Sequence, residues 1–233
     1  MEASHPSAAR ATATSPRLLT GAILAALIAA GLALWLFVWL GHEVLTDTPA
    51  PVLDDHFRTA IHSLSSPGLT QVMIASSRYG GPGWLAPLGV LIAVAFLIRG
   101  WRRGALLAAV TMAGAGLLDT LLKLAFGRAR PTAFFDYPLP RSHSFPSGHA
   151  FFAATVFGGL AILLTGRLRS PILRAIVWIV AIFLILLIGL SRVYLGVHYP
   201  SDVVAGYAAA TVWLAGVAFG DRVVRHRRPV GVA

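Results

Sequence analysis

The sequence predicts an all-α protein built as a six-transmembrane helix bundle, and three observations lead there. Of its 233 residues 57% are apolar and only 12% are charged, roughly half the charged share of a soluble domain. The apolar residues gather into long runs, several of them near the roughly 20 residues that a helix needs to cross a hydrocarbon core of about 30 Å. The charged residues fall between those runs and toward the chain ends. So apolar a composition excludes disorder, and a chain without cysteine excludes a disulfide scaffold.

The first run, residues 18–40, holds 23 residues without a charge and follows Arg10 and Arg17. It exceeds the apolar core of about 7 to 15 residues in a cleaved signal peptide, so it reads as a retained first span. Residues 41–83 form an outer loop in which Leu53, Phe57, Ile61 and Leu64 recur at helical spacing. That spacing predicts an amphipathic helix, either lying on the bilayer surface or packed on the bundle. A short apolar piece at 69–77 is broken by Gly80-Gly81-Pro82-Gly83 and the run resumes at 84–98; this counts as one second span, with extension by the earlier piece left open. The remaining spans are 104–126, 150–165, 171–190 and 203–220. The organisation is thus a tail at 1–17, a membrane domain at 18–220 and a basic tail at 221–233.

A net charge of +10 would suggest a nucleic-acid partner in a soluble protein. Sorted by side of the membrane, it has another meaning. Six crossings put both tails and the loops at 99–103 and 167–174 on one side, with 12 positive residues against Glu2 and Asp221. The other side carries seven cations and seven acids and nets zero. The positive-inside rule therefore predicts cytoplasmic termini in a cell-membrane protein. Arg222, Arg225, Arg227 and Arg228 follow the last span directly and read as a membrane-surface anchor. No nucleic-acid partner is expected, and the oligomeric state is open.

Three short patterns carry the chemistry. Lys123, the only lysine in the chain, is followed after six residues by Arg130-Pro131. Gly127 between them is a helix stop, and Pro131 forces Arg130 toward an extended backbone, so two cations approach an oxyanion from different directions. Pro146-Ser147-Gly148-His149 stands directly before the apolar run at 150. Ser147 fits an N-cap, Gly148 admits close approach of a backbone N–H to an anion, and His149 is placed to donate a proton. Ser191-Arg192 precedes His198 by five residues, and Asp202 follows four beyond it. Pro200 fits only the first turn of the last helix, so Asp202 in that turn can reach one imidazole nitrogen and leave the other free as nucleophile or base. Each piece alone also fits a structural role: interfacial snorkelling, a helix cap, a His–Asp pair. A metal is not expected, because Lys123, Arg130 and Arg192 would repel a divalent cation. Asp119, one turn before Lys123, either holds that lysine or lies in a wet pocket.

In order, Lys-x6-Arg-Pro, Pro-Ser-Gly-His and Ser-Arg-x5-His-x3-Asp resemble the signature of the type 2 phosphatidic acid phosphatase superfamily at every fixed position, over about residues 104–220. That resemblance implies an integral membrane lipid phosphatase without a cofactor. It also implies that Lys123, Arg130, Arg192, Ser147 and Gly148 hold the phosphate. His198 attacks phosphorus, Asp202 orients it, and His149 protonates the leaving oxygen and later activates water. The implied substrates are undecaprenyl diphosphate, ranked first, phosphatidylglycerophosphate and phosphatidic acid, met at an extracytoplasmic site. The alternatives are a lipid phosphotransferase with the same residues and a non-catalytic anion-binding membrane protein. Phe134, Phe135 and Tyr137 suit either an aromatic belt near the mouth of the site or plain interfacial anchors, with the second preferred.

Overall fold

The computed structural model describes residues 16–46 and 52–227, which hold helices and no strand. Helix α1 is Pro16–Leu45, α2 Val52–Ser63, α3 Pro67–Tyr79, α4 Pro82–Ile98 and α5 Arg102–Phe126. Helix α6, Gly148–Ala153, runs through a wider π-type turn at Ala154–Gly158 into α7, Gly159–Thr165; α8 is Pro171–Tyr194 and α9 Pro200–Arg227. Proline opens five of these helices, where its missing N–H costs nothing. Ser66 and Ser170 cap α3 and α8 by accepting from the backbone N–H groups of Leu69 and Leu173. Arg10, Asp47, Arg228 and most of the N-terminal tail lie outside the described residues, as do the side chains of Arg17, Leu53 and Arg227.

Five helical stretches are long and apolar enough to span a membrane: Leu24–Leu45, Arg102–Phe126, Gly148–Thr165, Pro171–Tyr194 and Pro200–Arg225. Among the described residues α3 and α4 together pass the same test but are bent by 54° at the Gly80-Gly81 break, which makes them a sixth span if the pair is one broken crossing and a re-entrant loop otherwise. The bundle is arranged around α6–α7, whose apolar window is 61% buried against 11% for α1. Phe151, Phe152, Ala153 and Val156 meet Leu85, Ala115, Ile188 and Ala210 there. Leu32, Val90, Leu117, Ile179 and Phe183 face outward from the surrounding helices, the side chains that lipid covers.

The expected spans are all present, with edges that differ in useful ways. The fifth continues past 190 to Tyr194, so Ser191 and Arg192 sit on a helical turn. The sixth begins at Pro200, three residues before the expected edge, so Asp202 lies in its first turn. Helix α2 forms as expected, and its contact face is mixed: Asp54 is buried and Ile61 of the apolar stripe packs on the core, while Phe57 and Leu64 are exposed.

The C-terminal ends of α5 and α8 and the N-terminal ends of α6 and α9 share one end of the bundle, because one long loop (127–147) and one short link (195–199) join them. Gly127 stops α5 in the left-handed region, φ +59°. The long loop is pinned over that end by Phe134 N–H to the Leu195 carbonyl at 2.9 Å and by Ser144 N–H to the Arg128 carbonyl at 2.8 Å. Phe134 stacks on His62 of α2 and Phe135 on Tyr194 of α8, so these rings fasten the loop to the bundle rather than forming a free belt.

Candidate active site

Four helix ends and two connections deliver the candidate residues to one place. Lys123 comes from the last turns of α5, Ser147, Gly148 and His149 from the start of α6, and Arg192 from the last turn of α8. Arg130 belongs to the long loop, His198 to the short link and Asp202 to the first turn of α9. Arg192, His198 and Asp202 are almost wholly buried. Arg192, His198 and Lys123 all lie within electrostatic reach of the His149 ring.

His198 is held in one tautomer. Its Nε2 lies 3.0 Å from an Arg130 guanidinium nitrogen, and a guanidinium can only donate, so Nε2 is the acceptor and the proton is on Nδ1. That Nδ1–H faces Asp202 Oδ2 at 3.2 Å. Burial outweighs the Asp202 charge, and Arg192 and Arg130 add to it, so the His198 pKa is pushed down to about 4. The ring is therefore neutral at pH 7, with its lone pair toward Arg130.

Asp202 is the most heavily bonded acid of the site. Its carboxylate accepts from His198 Nδ1, from the Ser144 hydroxyl, from Tyr199 N–H at 3.0 Å and from Arg128 at 2.6 Å. Its backbone carbonyl accepts Ser147 N–H at 2.9 Å, which joins the starts of α6 and α9. Arg128 continues outward, donating to Asp54 of α2 at 3.1 Å and stacking over the Tyr199 ring at 4.1 Å. Burial disfavours the Arg128 charge, but Asp202 and Asp54 together more than offset it and its pKa is raised. Asp54 also accepts from the Ser201 N–H at 2.9 Å and from its hydroxyl.

The cations are not equivalent. Arg130 uses all five of its N–H groups, on the Ser142, His143 and Val197 carbonyls, the Ser142 hydroxyl and His198 Nε2. Burial lowers its pKa, with Asp202 and Asp119 opposing. Arg192 donates to the Ser77 hydroxyl, but its buried Nε has no protein partner. Lys123 Nζ donates to Asp119 Oδ2 at 2.7 Å, which answers the question of Asp119: it holds the lysine. Both lie over Gly148, where a Cβ would stand 2.6 Å from Nζ and 2.8 Å from Asp119 Oδ1. Ser147 occupies the cap position of α6, yet its hydroxyl makes no cap bond; it is buried without a partner, as is Asp119 Oδ1. His149 Nε2 lies against Gly81 at the α3–α4 break, 3.0 Å from where a Cβ would be.

Arg128, Asp54, Ser144 and Ser77 are part of this network and were not singled out by the sequence patterns. Arg128 lies at a variable position inside the first pattern, and Ser144 stands two residues before the second. Asp54 and Ser77 come from α2 and α3, and nothing in their local sequence points to the site. Among the described residues no group of three His, Cys, Asp or Glu side chains has the arrangement of a metal centre.

The fold is a membrane-type helical bundle, and one end of it gathers a buried His–Asp pair, a second histidine and three cations. Comparison with known proteins gives the family. Residues 104–221 match the PAP2 superfamily. The chain is 32% identical over 179 residues to phosphatidylglycerophosphatase B of Bacillus subtilis, covering 75% of this chain and 87% of that one. It is 31% identical over 144 residues to an undecaprenyl-diphosphatase of Sulfolobus acidocaldarius, covering 60% and 64%. A solved structure of a transmembrane PAP2-type phosphatidylglycerolphosphate phosphatase from Bacillus subtilis superposes with a TM-score of 0.74 at 31% identity, over 85% of this chain and 98% of that one. The chain belongs to the PAP2 superfamily and is a membrane lipid phosphatase of a kind that needs no metal.

Two measurements check this geometry. 15N NMR of the His198 ring is expected to show the neutral Nδ1–H tautomer from pH 8 down to about 5, with protonation only near pH 4; a midpoint near 6.5 would mean a solvated ring. Asp54→Asn removes one of the two carboxylates on Arg128 and is expected to lower kcat about ten- to a hundredfold, the worth of one hydrogen bond to a charged group. KM should change little, because Asp54 bonds Arg128 and Ser201; an unchanged kcat would show that Asp202 is held without α2.

Proposed function

We propose that the protein hydrolyses a lipid phosphate by double displacement through His198. The Nε2 lone pair attacks phosphorus and the bond to the lipid oxygen breaks, with His149 supplying the proton that the leaving oxygen takes. Water, deprotonated by His149, then attacks the phosphohistidine and returns His198 with inorganic phosphate. Lys123, Arg192, Arg130, the Ser147 hydroxyl and the Gly148 N–H hold the phosphoryl oxygens. Phosphoryl transfer depends on this kind of positioning and charge stabilisation.

The observation that carries this reading is the fixed tautomer of His198, with Nδ1–H on Asp202 and the Nε2 lone pair directed to Arg130. Arg130 donates to that lone pair. All five of its donors are engaged, so it turns to a phosphate oxygen by giving up Nε2, and the same exchange frees the nucleophile. Arg192 Nε and the Ser147 hydroxyl, buried without partners, are donors that a phosphoryl group would satisfy.

Among candidate substrates, the broader match to phosphatidylglycerophosphatase B supports a phosphatidylglycerophosphate-like lipid over undecaprenyl diphosphate, reversing the order suggested by sequence alone. An extracytoplasmic site is supported by the charge asymmetry, +10 on one side and zero on the other.

Purified protein in detergent is expected to release phosphate from phosphatidylglycerophosphate faster than from phosphatidic acid or undecaprenyl diphosphate, and to do so in excess EDTA. His198→Ala should abolish release while leaving insertion and folding intact; turnover in that variant overturns the mechanism. Release that needs an added lipid acceptor would identify a phosphotransferase. Because the chain has no cysteine, Ser65→Cys and Arg169→Cys report sidedness cleanly. An impermeant maleimide should label Ser65→Cys on intact cells and Arg169→Cys only after lysis; the reverse pattern places the site in the cytoplasm.

A further inference from the structure

The other end of the bundle carries a second built feature. Arg103 and Lys123 lie 20 residues apart on α5, which is about 30 Å of helix and so about one membrane thickness. At the Arg103 end, α5, α7 and α9 enclose a groove of about 540 Å³. Arg103, Arg167, Arg222 and Arg225 line its mouth, with Asp221 as the one acid among the lining residues, so the rim nets +3. Asp221 is shared between Arg103, which reaches it through Nε at 2.8 Å, and Arg225 at 3.4 Å. Arg167 is held over the Trp101 ring at 4.1 Å, leaving its guanidinium edge open to an anion.

Below the rim the walls become apolar. Leu107, Leu163, Leu214 and Val217 line them. The groove descends from Arg103 to Thr111 on α5, eight residues or about 12 Å, and from Arg225 to Leu214 on α9, eleven residues or about 16 Å. Those depths match one leaflet, half of a core of about 30 Å. A smaller void that shares Thr111, Gly159 and Leu163 adjoins its deep end.

We infer that this groove binds an anionic phospholipid of the leaflet opposite the catalytic motifs, with the headgroup phosphate on the arginine rim and an acyl chain along the apolar wall. A soluble anion would use the rim but has no use for a wall one leaflet deep. A zwitterionic lipid would fit the wall but gain little from a net +3 rim. Guanidinium groups bind phosphate through paired N–H donors, and basic pockets between spans at a membrane face are suited to acidic headgroups. The inference rests on the chain's spanning the membrane and is independent of the chemistry proposed for His198.

Native mass spectrometry of the full chain in detergent tests it, with dioleoylphosphatidylglycerol and dioleoylphosphatidylcholine as probes. The wild type is expected to retain the anionic lipid in preference. Arg167→Gln with Arg222→Gln should weaken that retention about fivefold per arginine, roughly twenty-fivefold for the pair. Val217→Phe, which narrows the wall without altering charge, should also weaken it. Retention unchanged in both variants overturns the proposal. So does loss of the bound lipid in Lys123→Gln with Arg130→Gln alone, which would put it in the catalytic centre. Competition by glycerol phosphate at the lipid's own concentration would overturn it too, showing a soluble-anion site.

Discussion

A single buried carboxylate organises this end of the molecule. An ionised acid inside an apolar bundle is costly unless paired and hydrogen-bonded, and Asp202 meets that requirement with four donors, two from the long loop and two from the short link. Satisfying it forces the long loop, the short link and the first turn of α9 together. The Asp202 carbonyl then brings in the start of α6 through Ser147 N–H. Arg128 extends the same demand to α2, whose Asp54 it holds beside the apolar contact made by Ile61. The position of His198 follows from how Asp202 is satisfied.

The cations divide the work by how fully their donors are used. Arg130 is saturated and gives the loop its shape by gathering carbonyls from residues 142, 143 and 197. Arg192 keeps an unpartnered donor, and Lys123 has only part of its ammonium on Asp119. Arg130 can take a further acceptor only by exchanging one partner for another, whereas Arg192 keeps a buried donor in hand.

The six spans were legible because lipid imposes length and apolarity residue by residue, and helix ends because Pro200, Gly127 and Ser170 act locally. The eight candidate residues were legible because their spacing is fixed by helix ends: Asp202 four residues after His198, Gly148 directly before the α6 turn. Sequence could not show that the Ser147 hydroxyl would leave its cap bond unmade, nor that all five Arg130 donors would be engaged, since both depend on neighbours distant in the chain. Asp54 and Ser77 were illegible for the same reason. Their partners, Arg128 and Arg192, are 74 and 115 residues away, and short polar side chains in a loop helix look like ordinary surface.

The bend between α3 and α4 brings Ser77 to Arg192 and Gly81 to His149 from one short stretch of chain. That stretch, with Asp54 on α2, precedes residue 104, where the match to the family model begins. The centre is therefore composite: Lys123 to Asp202 lie in the part that matches the family model, and several of the groups that hold them come from the chain in front of it. A change confined to the front segment would alter the surroundings of Arg128, Arg192 and His149 while leaving those side chains themselves in place.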